Sequence, residues 1–213
     1  MPGTVDLSLF DNTVDSTYNI GRSLIVRLAW FLLGSPLLRC SILPSSAFRR
    51  TLLGWFGAEI GEGVVIKPGA RVKFPWKLRV GRYSWIGEDC WIDNLDLVTL
   101  GDHVCVSQGA YLCTGSHDWS DPAFRLITRP IQINDGAWIA AQVSVGPGAV
   151  VGEHAVIGFG SVVSGVVPPY EIHAGNPAMF VRRREIATTP GVRGRHTQTA
   201  EHRRMTSQVP TGN

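Results

Sequence analysis

The sequence predicts an all-β fold, a parallel β-helix of about five triangular coils, and three regularities in the chain predict it. From Ile60 onward an aliphatic residue opens each hexad. Four places after it stands a small or modest residue in thirteen of the fifteen hexads, the exceptions being Trp76 and Asp96. Each break in the register follows three hexads: the step is eight from Val72 to Val80, eight from Ile92 to Leu100 and twenty-one from Leu112 to Ile133. A period of six is neither helical nor a simple strand alternation, so it requires a short strand and a tight corner, repeated.

The coils follow in order: Ile60, Ile66 and Val72; Val80, Ile86 and Ile92; Leu100, Val106 and Leu112; Ile133, Ile139 and Val145; Val151, Ile157 and Val163. Strands of stacked coils lie about 4.8 Å apart, so equal hexad positions become neighbours. The aliphatics fill the interior, and the small fifth positions, such as Ala70, Ser84 and Cys90, fit under the corners. Both short insertions and the long one (118–132) then leave the solenoid at one edge. Open ends of a solenoid need caps, which assigns 1–59 to an N-terminal cap, 60–168 to the coils and 169–186 to a C-terminal cap. A short helix is expected from Pro177 to Glu185 and a disordered tail over 187–213.

Within the N-terminal region Leu24 to Leu33 is apolar, interrupted by Arg27 and ended by Gly34-Ser-Pro36, well short of the roughly 20 residues of a spanning helix. Two readings stay open. Arg22, Arg27, Arg39, Trp30 and Phe31 suit a helix lying in a membrane interface, and an apolar helix packed on the body or on a neighbouring subunit fits equally. The 213 residues, 44% hydrophobic and 17% charged, suffice for one domain with appendages. A net charge of +3, owed largely to arginines near the C-terminus, gives no reason to expect a nucleic-acid partner. Four cysteines without a C-x-x-C pair, and no recognisable secretory signal, argue against a disulfide framework or zinc ribbon and for a reducing, cytoplasmic compartment.

The hexads resemble those of the left-handed β-helix hexapeptide acyltransferases. Tyr-Leu-Cys-Thr-Gly-Ser-His-Asp (111–118), Phe74-Pro-Trp-Lys-Leu78 and Ala174-Gly-Asn-Pro-Ala178 are similar to segments of the colanic acid biosynthesis acetyltransferases, with nodulation and galactoside or maltose O-acetyltransferases as more distant relatives. The resemblance spans about 5–185 and supplies the handedness. It implies transfer of acetyl from acetyl-CoA to a sugar hydroxyl without an acyl-enzyme, in a homotrimer with active sites between subunits. The implied acceptor is a sugar of an exopolysaccharide repeat unit, free or lipid-linked, which would bring the protein to the inner membrane face. No metal is expected. A small free saccharide as acceptor and a non-catalytic scaffold are the rival readings.

A hydroxyl is a poor nucleophile near neutral pH, and imidazole is suited to take its proton. His117 closes the third coil where the long loop begins, so its candidate role is the general base; a turn-capping histidine is the bland reading. His103 and His154 hold outward hexad positions, and His173, His196 and His202 lie outside the coils. Asn94 and its neighbour Asp93, one coil below His117, are candidates for holding the acceptor, Asn94 being equally suited to a sharp turn. By resemblance Trp138 lies beside the thioester arm of the coenzyme, which passes Ala141, Phe159 and Ser164 toward Arg182 and Arg183 at the phosphoadenosine end. Many relatives carry Thr-Lys-Asp where this chain has Ser164-Gly165-Val166, so a lysine contact to the coenzyme is missing.

Overall fold

The computed structural model describes residues 4–9, 18–42 and 45–187. Most of the expected tail, from residue 188 on, lies outside them. The architecture is the left-handed parallel β-helix, with three flat faces that each add one short strand per coil.

Face A stacks Glu59–Ile60, Leu78–Val80, Val98–Leu100, Ile131–Ile133, Val150–Val151 and Val166–Val167. Face B stacks Val65–Ile66, Trp85–Ile86, Cys105–Val106, Trp138–Ile139, Val156–Ile157 and Glu171–Ala174, and face C runs from Arg71–Val72 to Val162–Val163. Five coils are complete, and a sixth continues over faces A and B. The register follows the hexads: Ile66 pairs with Ile86, Ile86 with Val106, and Val106 with Ile139. Every hexad-opening aliphatic except the half-buried Ile60 is buried, so the interior is one aliphatic column. The buried polar fifth-position residues Ser84 and Ser161 are satisfied by the corners above them. The Ser84 hydroxyl donates to Gly101 O (2.7 Å) and accepts from Val104 N (2.9 Å), removing the cost of a buried, unpaired hydroxyl.

At the edge between faces A and B the corner residue takes a left-handed backbone in coil after coil: Gly63, Tyr83, His103, Gly136, His154 and Tyr170. Tyr83 lies over Gly63, and His154 over Gly136, at which an added Cβ would stand only 2.1 Å from the imidazole Nδ1. The stacking therefore demands glycine beneath these rings, for space as well as for φ.

All three insertions leave at the edge between C and A. The first holds a single turn at Pro75–Lys77, the second spans Asn94 to Leu97, and the third is a hairpin of Gly115–His117 with Leu126–Thr128. The hairpin starts three residues before the 118–132 boundary expected from the hexads, because Gly115–His117 pairs antiparallel instead of turning the corner.

The N-terminal cap is helical: α1 (Leu24–Ala29), a π-helical stretch (Trp30–Gly34), α2 (Ser35–Arg39) and α3 (Ser46–Trp55). The apolar run ends at Gly34-Ser-Pro36 but the helical stretch runs on to Arg39, since the wider π turn accommodates a proline that lacks an N–H. Hydrogen bonds from the helices seal the open coil, among them Arg50 Nη1 to Val64 O (2.6 Å). Trp30 Nε1 donates to Val72 O (3.2 Å), Ile66 N to Ser46 Oγ (2.8 Å), and Gly69 N to Arg39 O (3.3 Å). Buried Arg49 joins α2 to α3 through Leu38 O (3.1 Å) and Cys40 O (2.7 Å).

The short C-terminal helix is a correction. Met179–Arg183 is a strand, antiparallel to Glu171–Ala174. A helix of so few residues gains little alone, whereas a strand here covers the open edge of face B.

Candidate active site

The hairpin positions His117. Its Nδ1 lies 2.7 Å from Phe124 O, and its ring stacks on that of Phe124 with centroids 4.4 Å apart and planes within 7°. A carbonyl only accepts, so Nδ1 carries the hydrogen and the lone pair of the neutral ring sits on Nε2. Asp118 does not orient the imidazole: its Oδ1 accepts from Ser120 N (2.9 Å) and Ser120 Oγ (2.5 Å). The start of the chain reaches the same hairpin, Asp6 N donating to Pro122 O at 3.0 Å.

Asn94 is not available to an acceptor. It is fully buried, and its amide donates to Phe74 O (2.7 Å) and Lys77 O (2.9 Å) while accepting from Phe74 N (2.9 Å). The first insertion curls back over the second, so the side chain that a sharp corner would turn outward fastens two insertions instead. Asp93 lies between coils, 2.9 Å from Lys73 Nζ, and accepts from Tyr111 OH at 3.2 Å. Burial raises the pKa of the Tyr111 phenol, with Cys113 and Asp93 adding to the effect, so it stays protonated as a donor.

Beside the hairpin lies a recess of about 450 Å³ lined by Tyr18, Asn19, Lys77, Asp96 and Leu126–Thr128. Leu126 is the register partner of His117, so one hairpin both walls the recess and carries the imidazole. Lys77 Nζ donates to Asn19 O (2.7 Å) and Leu95 O (2.6 Å) and sits 4.7 Å from the Tyr18 ring centroid. Burial lowers the Lys77 pKa, opposed by Asp96, and pushes the Tyr18 hydroxyl up to about 12. Sequence reasoning assigned no role to these residues. The Phe74-Pro-Trp-Lys-Leu78 motif contained Lys77, but its neighbours come from distant segments.

The residues expected along the thioester arm divide. Trp138 projects from face B, 43% exposed, its Nε1 donating to Ser107 Oγ at 2.9 Å. Ala141 and Phe159 occupy consecutive corners of the edge between B and C, where Gly160 N donates to Ala141 O (3.0 Å). Arg182 and Arg183 are exposed on the strand that ends face B. Ala141 and Phe159 thus line the B/C end of face B, whereas Arg182 and Arg183 pair with Ile172 and Glu171 toward its A end. Ser164, following Val162–Val163, stands on the insertion edge instead. Among the described residues no group of three His, Cys, Asp or Glu side chains could hold a metal ion.

The bacterial transferase hexapeptide family (six repeats) matches residues 130–165. The colanic acid biosynthesis acetyltransferase WcaF of Escherichia coli (strain K12) is 37% identical over 179 residues, covering 84% of this chain and 97% of that protein. This chain belongs to the hexapeptide-repeat acetyltransferases. The galactoside O-acetyltransferase of the same organism is 27% identical over 137 residues, 63% of this chain and 68% of its own. A hexapeptide-repeat acetyltransferase of Vibrio cholerae O1 biovar eltor, complexed with acetyl-coenzyme A, superposes with a TM-score of 0.68 at 26% identity, covering 76% of this chain and 88% of that one. A galactoside acetyltransferase in complex with coenzyme A gives 0.67 at 25% identity, over 76% of this acetyltransferase and 82% of its own chain.

Proposed function

We propose that this acetyltransferase moves the acetyl group of acetyl-coenzyme A to a sugar hydroxyl, of an exopolysaccharide repeat unit, with His117 as general base. The observation that carries the reading is the His117–Phe124 lock, which fixes the ring plane and leaves Nε2 as the basic nitrogen. The sugar oxygen bonds to the thioester carbon as its proton passes to Nε2. The C–S bond then breaks, and the imidazolium returns the proton to the departing sulfur. Nothing is oxidised, and no residue is acylated. Asp93 has its Oδ1 buried beside Lys73, so only its Oδ2, shared with the Tyr111 hydroxyl, can meet an acceptor hydroxyl, and the recess walled by the hairpin has the size and mixed lining of a saccharide site.

The coenzyme reading rests on the exposed indole of Trp138, the tract through Ala141 and Phe159, and the two guanidiniums, which match an apolar arm ending in phosphate. Ser164, one edge away, fits this tract less well. His117 and Trp138 occupy different sides of one prism, so a site using both combines neighbouring subunits, as expected for a homotrimer. The outward row of face B (Val65, Trp85, Cys105, Trp138, Val156 and Ile172) is apolar enough to be such an interface. Similarity to WcaF supports an exopolysaccharide acceptor, and a lipid-linked one would place the enzyme at the cytoplasmic membrane face.

Thiol release from acetyl-coenzyme A, measured across a panel of free and lipid-linked saccharides, tests the reading. Acceptor-dependent release should fall by about 10²-fold or more in His117→Ala. Equal rates in the two proteins would remove His117 from the chemistry, and release that no saccharide stimulates would remove the sugar acceptor.

A further inference from the structure

The N-terminal cap has two faces, and among the described residues only one packs on the coils. Trp30 and Leu38 face the first coil and are fully buried. On the other side Leu24 (61% exposed), Ile25 (80%), Leu28 (48%), Phe31 (46%) and Leu32 (70%) form an apolar stripe, and Ile42 beyond α2 is 89% exposed. Spacings of one, three and four residues keep such side chains on one side of a helix. Scattered exposed aliphatics are ordinary; a contiguous helical stripe of this composition marks an interaction surface.

Charge identifies the partner. Between Tyr18 and Phe56 the chain has five arginines (Arg22, Arg27, Arg39, Arg49 and Arg50) and no Asp or Glu. Arg49 and Arg50 are consumed internally and Arg27 is partly buried, but Arg22 and Arg39 are exposed and flank the stripe at its two ends. Aliphatic and aromatic side chains bordered by arginines, with no acidic residue among them, complement a bilayer interface carrying anionic headgroups. The stretch from Leu24 to Arg39 would extend about 24 Å at helical rise, below the roughly 30 Å hydrocarbon core, and no described helix is long and apolar enough to cross a membrane. A second copy is the weaker occupant. The stripe is at the end of the solenoid, whereas the apolar row of face B is along its side. Rotation about a three-fold axis also turns all three caps toward the same side, so a trimer would present three stripes together and gain from multivalency.

We infer that the outer face of α1 and the π-helical stretch docks this acetyltransferase on an anionic membrane surface, lying in the interface without spanning it. The inference deepens the proposed function and rests on it only for the reason to dock, an acceptor carried on lipid. The test is flotation of the full-length protein with phosphatidylcholine vesicles containing about 30% phosphatidylglycerol, beside pure phosphatidylcholine vesicles. The protein should float with the anionic vesicles, less with the zwitterionic ones, and the Ile25→Glu/Leu32→Glu variant should lose roughly tenfold or more of the bound fraction. Both positions are exposed, so the variant should fold. Thiol release with a water-dissolved acceptor should be unchanged, which separates failure of docking from failure of the catalytic reading. Equal flotation of the two proteins, or absence of the parent protein from the anionic vesicles, overturns the inference. So does a smaller oligomer in sedimentation of the variant, which would make the stripe a contact between copies.

Discussion

Two edges of the same prism carry histidines beside aromatic rings, and they behave differently. On the edge between faces A and B, His154 tilts against Tyr170 with centroids 5.0 Å apart, and His103 stacks on Tyr83 at 5.4 Å. Those rings cover the corner of an adjacent coil and help hold the stack. On the edge between C and A, His117 stacks on Phe124 within one hairpin, and a carbonyl fixes its Nδ1. The difference lies in what the chain does at the corner. A corner that repeats uses its side chains for stacking, whereas an interrupted corner releases a segment that can aim a ring and wall a recess.

The comparison breaks first on activity. His117→Ala should lower acetyl transfer by about 10²-fold or more, while His154→Ala should leave the rate within about twofold. A loss of similar size from both substitutions would mean that histidines of both edges serve the chemistry, or that the second substitution disturbs the coils. Thermal unfolding of His154→Ala distinguishes these outcomes.

The next effect concerns stability at the interrupted edge. Asn94→Ala would strand Phe74 N, Phe74 O and Lys77 O, three groups now served by one amide. Leaving buried partners unpaired costs about 3 kcal/mol in total, read as a lower denaturation midpoint with an unchanged slope. If Asn94 instead gripped the acceptor, the substitution would raise KM at nearly normal stability.

What was legible in the sequence follows the same division. Stacking repeats one environment, so Ile66, Ile86, Val106 and Ile139 announce the coils directly, and the breaks after Val72, Ile92 and Leu112 announce the irregular edge. The Gly-Ser-His-Asp motif marked His117. The direction of Asn94 was not legible, because it depends on Pro75–Lys77 folding back across a coil. Nor was the recess, which brings Tyr18 and Asn19 against Lys77, Asp96 and the hairpin through contacts between distant segments. The strand at Met179–Arg183 depends on an open sheet edge that only the folded solenoid provides, and the helix running through Pro36 depends on a π turn that apolar periodicity does not signal.

The smallest effect tests the uniform edge. Gly136 has φ +66°, and an added Cβ would lie 2.1 Å from the His154 Nδ1. Gly136→Ala should therefore lose about 1–2 kcal/mol, part from a side chain in the left-handed region and part from displacing the imidazole. The double variant Gly136→Ala/His154→Ala removes the clash but keeps the backbone cost. If stacking of ring over glycine organises this edge, His154→Ala should be less destabilising in the Gly136→Ala background than alone, a coupling between contacting residues. Strict additivity would mean that the imidazole moves aside freely. The column of rings would then decorate the corners, and the aliphatic interior with its backbone ladder would set the stacking without them.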